Sequence, residues 1–259
     1  MKNPMKIVFL TTEGPASFYL INEIHQEYPI AKVFFRYSQE TALNSKFSKI
    51  FNVQKVRGHV RHYLEKFFFG RERALKQDYE HSCFPHALDS TIPVERVASL
   101  NSSDSVAKIA AEAPDIILVQ GTEILKDDVL AIANREIINL HPGILPDYKG
   151  GGMPYWSFYN KDFDRLGITI HVCTNQLDGG PILRQAFYQL TPEDKIYQFS
   201  HRINALFLTQ IKQVLASYLT GDVSYQQQTV TDKVWTKKGL TIVKQLLARK
   251  YFSDHVDSL

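Results

Sequence analysis

Short apolar runs alternate with amphipathic stretches along the first half of the chain, and this alternation predicts strands and helices in turn. Three runs are mostly apolar along their length: residues 6–11, 32–35 and 115–120. Such a run is typical of a strand that is buried on both faces of a parallel sheet. Between the first two runs, apolar side chains recur at helical spacing, at Leu20, Ile21, Ile24 and Tyr28. The chain therefore opens with a predicted βαβ unit.

The same pattern continues toward the C-terminus. It predicts strands at 92–97, 136–140, 167–172 and 223–230, and helices at 104–113, 127–133 and 240–251. Thr191-Pro192-Glu193-Asp194 has the cap, proline and early acids of a helix start, and predicts a helix that ends near Leu219. We therefore predict an α/β fold with a Rossmann-like, doubly wound, mostly parallel sheet. Its main domain would span 1–220, and a short C-terminal extension of strand and helix would span 221–259.

Residues 38–80 do not fit a minimal α/β scaffold, and we interpret them as an inserted helical segment. Apolar side chains form a helical stripe at Val56, Val60, Tyr63, Leu64 and Phe67. Basic side chains lie off this stripe at Lys55, Arg57, Arg61, Lys66, Arg71, Arg73 and Lys76. We expect a helix that covers the sheet with the stripe buried and the basic stems along its margin. The alternative interpretation is an RNA-binding surface.

Composition narrows the class of protein. Hydrophobic residues make up 44% and charged residues 22% of the 259 residues, which is typical of a globular chain. The net charge of +3 does not by itself indicate a nucleic-acid or membrane partner. Neither a secretory signal nor a run long enough to span a bilayer is present in the sequence, so we expect a cytoplasmic protein without a membrane partner.

Cysteine and histidine usage predicts no disulfide framework and no metal site. Cys83 and Cys173 are the only cysteines, and we expect both to be buried as small hydrophobic side chains. The run His81-x-Cys83-x-x-His86 offers three ligands without a fourth, so a solvated loop is the favoured interpretation.

The first βα turn argues against a dinucleotide. It reads Thr11-Thr12-Glu13-Gly14-Pro15, with one glycine where a dinucleotide-binding turn has three. Glu13 also places a negative charge where a phosphate would lie. NAD binding is therefore not expected, and the sequence has no P-loop.

The densest polar cluster follows the strand at 136–140. Asn139 and His141 are two residues apart and point to the same side of that strand, at the end where open α/β sheets bind ligands. Thirty-seven residues beyond His141, a turn displays Asp178. An amide, an imidazole and a carboxylate in one cleft suit acyl-type transfer, because the amide can stabilise an oxyanion and the others can handle protons. The spacing alone leaves a purely structural role for the histidine open.

Three motifs follow one another in this region: Asn139-x-His141-Pro142-x-x-Leu145-Pro146-x-Tyr148-x-Gly150, then Gly167-x-Thr169-x-His171, and then Leu177-Asp178-Gly179-Gly180-Pro181-Ile182. In this order and spacing they resemble the formyltransferase family, which includes glycinamide ribonucleotide transformylase, methionyl-tRNA formyltransferase and the nucleotide-sugar N-formyltransferases. The resemblance covers residues 92–190 well and the first βαβ unit loosely. It implies that 1–220 is a formyltransferase catalytic domain that uses N10-formyltetrahydrofolate as donor and no metal.

The resemblance also implies roles for individual residues. Asn139 would bind the formyl oxygen, His141 would assist and move protons, and Asp178 would orient His141 or a relaying water. Donor-binding residues would be Gly121, Thr122, Glu123, Ile124, Leu125, Leu177 and Gly179, although 121–125 could instead be a helix entry that packs on the core. Acceptor-binding residues would be Thr12, Glu13, Gly143, Thr169 and His171.

Departures from the family patterns bear on the acceptor. The turn around Glu13 does not suit the phosphate of glycinamide ribonucleotide, and 222–259 is short for the C-terminal β-barrel of methionyl-tRNA formyltransferases. We therefore expect a nucleotide-linked amino sugar, with Glu13 favouring its hydroxyls or amine and the diphosphate near Lys149 or Arg184. The alternatives are glycinamide ribonucleotide, methionyl-tRNA, hydrolysis of the formyl donor, and a non-catalytic binding protein. A nucleic-acid partner is not favoured, and a homodimer is left open.

Overall fold

A computed structural model describes residues 5–37, 53–229 and 231–259 of the chain. Its centre is a seven-stranded sheet with the order β3-β2-β1-β4-β5-β6-β7. The strands are β1 (Ile7–Thr12), β2 (Ile30–Arg36), β3 (Val94–Val97), β4 (Ile116–Gln120), β5 (Glu136–His141), β6 (Gly167–Val172) and β7 (Ile182–Phe187). β1 to β5 are mutually parallel, which confirms the predicted doubly wound α/β class.

The apolar runs explain which strands are central. β1 and β4 pair side by side, and Val8, Leu10 and Ile117 are completely buried. Helices flank the sheet: α1 (Pro15–His25), α2 (Val53–Cys83), α3 (Ser103–Ala111), α4 (Asp127–Leu130), α5 (Tyr155–Tyr159), α6 (Phe199–Thr220) and α7 (Ile242–Val256). Apolar clusters lie on both faces, as a sheet without a solvated face requires.

The last two strands reverse direction. β6 is antiparallel to β5, and β7 is antiparallel to β6. β7 was not predicted from the sequence, because Arg184 and Gln185 interrupt its apolar pattern. Their side chains lie exposed and half-buried at the edge of the sheet, where a strand tolerates polar residues on one face.

The helix predicted from Thr191 begins later, at Phe199. Asp194 is buried and does not act as a first-turn acid. Its carboxylate accepts hydrogen bonds from the Thr191 N–H at 2.7 Å and from the Tyr188 hydroxyl at 2.7 Å, and it pairs with Arg202 at 2.9 Å. These tertiary contacts hold 191–194 as a turn and override the local signal.

The strand predicted at 223–230 is also wrong for the residues described. Gln226 makes an isolated antiparallel bridge to Ile182, and 223–229 otherwise forms no regular element. Val230 lies outside the described residues. The predicted closing helix is confirmed as α7.

The insert is helical as predicted over α2, whereas 38–52 lies outside the described residues. The predicted burial of its apolar stripe is wrong from residue 63 onward. Tyr63 is 70% exposed and Phe67 is 82% exposed, whereas Phe69 is 1% exposed. The helix instead packs through Phe69 and Glu72, because the guanidinium of Arg249 lies over the Phe69 ring and pairs with Glu72 at 2.7 Å.

The two cysteines are less buried than predicted. Cys83 and Cys173 are half-buried. None of the helices in the described part of the chain has both the length and the apolarity needed to cross a lipid bilayer.

The C-terminal helix α7 shares the main core. Ala248, Phe252 and Val256 belong to the same buried cluster as the sheet. The ring of Phe158 on α5 lies 4.9 Å from Phe252 and 5.4 Å from Phe199 on α6, so one aromatic side chain joins three helices. The division of the chain at residue 220 stays a prediction.

Phe158→Ala should lower the free energy of unfolding by about 3–5 kcal/mol, because it removes a fully buried ring and leaves a cavity among three helices. Urea denaturation would measure the loss. Phe67→Ala is the matched control, because the Phe67 ring is mostly exposed, and it should change stability by less than about 0.5 kcal/mol. Equal effects of the two substitutions would contradict the packing described here.

Candidate active site

β5 places Asn139 and His141 at the carboxyl end of the parallel part of the sheet. The two residues alternate with buried Leu140 and so share one side of the strand. In the antiparallel pairing with β6, Asn139 lies opposite His171 and His141 lies opposite Thr169. Asn139 is half-buried, whereas the side chain of His141 is 4% exposed. The amide is therefore the more accessible of the two groups.

A backbone carbonyl fixes the tautomer of His141. Nε2 of His141 lies 2.7 Å from the carbonyl oxygen of Tyr148, which can only accept a hydrogen bond, so Nε2 carries a proton. In the neutral ring, Nδ1 then carries a lone pair and can accept a hydrogen bond. Nδ1 lies 3.6 Å from Oδ2 of Asp178. The arrangement leaves a place for one proton between the imidazole and the carboxylate.

Asp178 reaches this position from a turn that doubles back along the sheet. The N–H of Cys173 bonds to the carbonyl of Ile137, near the start of β5. Five residues later Asp178, with φ of 45°, contacts the end of β5. Aspartate adopts this left-handed conformation more readily than most residues. The N–H of Gly150 donates to Oδ2 of Asp178 at 2.7 Å and holds the carboxylate from the loop after β5.

The electrostatics of the pair favour an ionised carboxylate beside a neutral imidazole. Burial raises the pKa of the Asp178 carboxyl, but the imidazoles of His171 and His141, which are protonated at the low pH where this carboxyl titrates, and the N–H of Gly150 outweigh it and lower the pKa to about 2. Burial lowers the pKa of His141, against the opposing effect of Asp178. At neutral pH, His141 can therefore accept a proton and Asp178 can stabilise it.

His171 determines which way the Asn139 amide points. Nδ1 of His171 lies 2.9 Å from the carbonyl of Val172, so this nitrogen carries the proton and Nε2 accepts. The Asn139 amide nitrogen donates to Nε2 of His171 at 3.0 Å. A longer contact of 3.4 Å joins the same nitrogen to Oδ1 of Asp178. His171 thus turns the donor end of the amide toward the cluster.

Three residues predicted to bind the acceptor lie behind the site. Thr169 is fully buried, and its hydroxyl donates to the carbonyl of Gly143 at 2.7 Å and accepts from the N–H of Leu145 at 3.1 Å. Gly143 is buried, and a Cβ there would lie 2.9 Å from the carbonyl of Tyr148. His171 is 2% exposed. These residues shape the loop after β5 and support Asn139, and their contact with an acceptor stays a prediction.

The role of Gln185 was not predicted from the sequence, because the strand that carries it, β7, was not predicted. Its amide donates to the carbonyl of Leu145 at 2.8 Å and to the Thr169 hydroxyl at 3.0 Å, and so completes the support of that loop.

The first βα turn does not carry the free negative charge that was predicted. The Glu13 carboxylate accepts from Nε of Arg96 at 2.9 Å and from Nη2 at 2.7 Å. Arg96 lies on β3, the edge strand beyond β2, on the other side of β1 from β5. Glu13 is therefore compensated by Arg96 on that side of the sheet, which weakens the argument that it repels phosphate. Thr12 is exposed at the end of β1.

The two cations proposed for a diphosphate differ in availability. Lys149 is buried, and its ammonium donates to the carbonyl of Thr231 at 3.1 Å, so it serves the structure. Arg184 is exposed on β7.

Residues 121–125 follow β4, next to β5. Some of them make structural contacts, and others are exposed at the edge of the sheet. Glu123 accepts from the N–H of Leu100 at 2.7 Å, and Leu125 packs on the core beneath. Ile124 is 68% exposed and presents an apolar side chain at the carboxyl edge of the sheet. Gly121 and Thr122 lie at the same edge. Leu177 and Gly179 flank Asp178 and are half-buried. Donor binding by this set stays a prediction.

In the described part of the chain, no group of three or more His, Cys, Asp or Glu side chains is arranged so that it could hold a metal ion. The imidazoles of His81 and His86 lie 4.0 Å apart as tilted neighbouring rings.

Comparisons with known proteins point to one family of enzymes. The formyl transferase family model matches residues 5–215. Methionyl-tRNA formyltransferase of Roseiflexus castenholzii is 32% identical over 152 residues, which are 58% of this chain and 48% of the relative. This chain spans about half the length of the curated relatives it matches.

Two solved structures share the fold at low identity. A sugar N-formyltransferase from a Shewanella species is 16% identical with a TM-score of 0.57, over 95% of this chain and 87% of that one. HypX from Aquifex aeolicus, solved with tetrahydrofolic acid, is 15% identical with a TM-score of 0.59, over 97% of this chain and 35% of that one. Because the family match runs from β1 into α6 and includes the strand and the turn that carry Asn139, His141 and Asp178, this chain belongs to the formyl transferase family.

Proposed function

We propose that this chain transfers a formyl group from N10-formyltetrahydrofolate to a primary amine. The observation that carries the proposal is the cluster of Asn139, His141 and Asp178. It combines an oriented amide donor, a neutral imidazole with a free lone pair, and an ionised carboxylate within hydrogen-bond or ion-pair distance.

The amide of Asn139 suits the formyl oxygen. When the amine attacks the formyl carbon, this oxygen gains negative charge in the tetrahedral intermediate. Of the two hydrogen bonds that the Asn139 amide donates, the 3.4 Å bond to Asp178 is the weaker. This N–H can therefore donate to the oxyanion instead, while the bond to His171 keeps the amide in place. A preorganised donor of this kind is typically worth about 10²–10³ in rate.

His141 and Asp178 suit the proton transfer. The new C–N bond forms as the amine attacks, and the bond from the formyl carbon to N10 then breaks. The amine loses one proton and N10 gains one. Nδ1 of His141 can hold that proton between the two steps, because Asp178 lies 3.6 Å away and stabilises the imidazolium.

The donor fits the edge of the sheet next to Asn139. Ile124 at the end of β4 offers exposed apolar surface for a flat heterocycle, and Gly121 leaves the backbone accessible beside it. The tetrahydrofolic acid in the solved HypX structure supports a folate donor for this fold.

For the acceptor we propose a nucleotide-linked amino sugar. The likeness to the Shewanella sugar N-formyltransferase extends over 95% of this chain, including most of the C-terminal extension. Because Arg96 compensates the charge of Glu13, a phosphate can approach the first turn, so glycinamide ribonucleotide belongs among the candidates tested. Methionyl-tRNA is the second candidate, because the matched curated relatives carry that activity in their names.

Asn139→Ala, His141→Ala and Asp178→Ala should each lower kcat by about 10²–10⁴ without unfolding the chain. The three groups act on one intermediate, so the triple variant should lose far less than the product of the single losses. Asn175→Ala and His81→Ala serve as controls, because both side chains are exposed outside the cluster. Near-normal turnover of His141→Ala would remove the catalytic assignment.

The pH dependence of kcat tests the state of His141. Burial lowers its pKa below the ordinary value of 6.5, so the neutral base should persist at pH 6.5 and be lost only at lower pH. We expect kcat to fall on the acid side with an apparent pKa below 6.5. In Asp178→Asn, the residual activity should show this limb at still lower pH, because the carboxylate that favours the imidazolium is gone.

A limb that persists unchanged in His141→Asn would belong to the acceptor amine, and this variant is therefore the control. An acid limb above 6.5 that vanishes with His141 would show that the imidazole is more basic than its burial implies.

The acceptor is tested by incubation of the chain with N10-formyltetrahydrofolate and one of three amines: an amino-sugar nucleotide, glycinamide ribonucleotide or methionyl-tRNA. Mass spectrometry should detect the gain of one formyl group on the sugar. Higher kcat/KM for tRNA, with affinity that falls steeply with salt as counterion release requires, would replace the sugar by the RNA. Release of formate at the same rate without any amine would indicate a hydrolase.

A further inference from the structure

The turn that carries Asp178 is fastened from outside the region that matches the family. Gln228 lies in the C-terminal extension, fifty residues beyond Asp178 and thirteen beyond the end of the match at residue 215. Its amide nitrogen donates to the carbonyl oxygen of Asp178 at 3.1 Å and to the carbonyl oxygen of Gly180. The two hydrogens of one amide thus join both arms of the turn.

The orientation of this amide follows from its partners. Both carbonyls only accept hydrogen bonds, so the nitrogen of Gln228 must face them. Oε1 of Gln228 is buried and has no hydrogen-bond partner among the described residues. The two hydrogen bonds that the Gln228 amide donates therefore fix its side chain to the turn.

The turn is restricted at Gly180 by lack of space and at Asp178 by its backbone conformation. Gly180 is buried, and a Cβ there would overlap the carbonyl of Val172. Asp178, between these fixed points, has a positive φ of 45°, which few side chains adopt without support. The carbonyl that Gln228 binds belongs to the same residue whose carboxylate faces His141, so a movement of the carbonyl displaces the carboxylate.

The extension also supports the loop that holds the Asp178 carboxylate. The N–H of Trp235 donates to the carbonyl of Lys149, and the N–H of Gly151 donates to the carbonyl of Trp235, both at 2.9 Å. These bonds flank Gly150, whose N–H binds the Asp178 carboxylate. Gln228 and Trp235 therefore contact the backbone of the turn and of the loop that together hold the carboxylate.

We infer that Gln228 is a positioning residue of the formyl-transfer site, which holds the Asp178 carboxylate against His141 through the backbone of its turn. The inference rests on the proposed function for its kinetic consequence and on geometry alone for its effect on His141.

The test compares Gln228→Glu and Gln228→Leu with Gln227→Leu. The glutamate keeps the shape of the side chain but replaces the donor by an oxygen that repels both carbonyls, and the leucine removes the polar group altogether. Gln227 is the same residue type, adjacent and exposed, and so provides the matched control. We expect kcat of both Gln228 variants to fall by about 10–100-fold, as misplacement of a catalytic group does, with KM for the folate donor within about twofold of wild type.

A second measurement does not depend on activity. NMR titration of the His141 ring should show a lower pKa in Gln228→Glu and Gln228→Leu than in wild type, because Asp178 favours the imidazolium only while it is held close. Asp178→Asn gives the full effect, and Gln228 variants should lie between it and wild type. His171 also faces Asp178, and His171→Asn in the same background separates its signal from that of His141.

The two measurements distinguish the possible failures. If wild type transfers no formyl group to any acceptor, the proposed function fails, and the NMR titration still decides the role of Gln228. If Gln228→Glu does not fold, Gln228→Leu carries the test. A His141 titration unchanged from wild type in a folded Gln228 variant, while Asp178→Asn shifts it, would overturn the inference. A kcat loss matched by Gln227→Leu would do the same.

Discussion

The site depends on one buried negative charge. The side chain of Asp178 is 9% exposed, and an ion removed from water to this extent costs several kcal/mol unless neighbours compensate it. The donors that reach it come from separate parts of the chain: the N–H of Gly150 from the loop after β5 at 2.7 Å and the Asn139 amide from β5 at 3.4 Å, while the rings of His141 and His171 lie 3.6 Å away. Each of these contacts restrains the donor as well as the carboxylate. Burial of the charge is therefore stable only when β5, the loop after it and the turn of Asp178 lie together.

The reversal of β6 determines how this meeting is achieved. Had β6 been parallel to β5, a turn after it would lie at the carboxyl edge without further bending. Because β6 is antiparallel, Cys173 lies beside Ile137, and the chain must fold back to bring Asp178 to the end of β5. A left-handed Asp178 and a Gly180 without room for a side chain make that reversal possible. The tight turn is a consequence of strand direction as well as of chemistry.

The sequence predicted those parts of the fold and site that depend on local periodicity. The apolar runs of β1 and β4 and the two-residue spacing of Asn139 and His141 act within a single strand, where side-chain direction is fixed by the backbone. Predictions failed where distant residues decide. Asp194 is held by Tyr188 and Arg202 and so does not start a helix, and Glu13 is compensated by Arg96 from β3. The two hydrogen bonds of Gln228 leave no signal at all in the local sequence.

Exposure within the cluster constrains the direction of approach for a substrate. As whole residues, His141 is buried, whereas Asn139 and Asp178 are half-buried. A formyl group that reaches this cluster therefore meets the amide and the carboxylate before the imidazole, and only the amide can donate a hydrogen bond to its oxygen. The proton can continue inward to Nδ1 of His141, which lies 3.6 Å from Oδ2 of Asp178. Burial thus separates the two parts of the proposed reaction: charge on oxygen is stabilised at the accessible amide, and the proton is held at buried His141, away from bulk water.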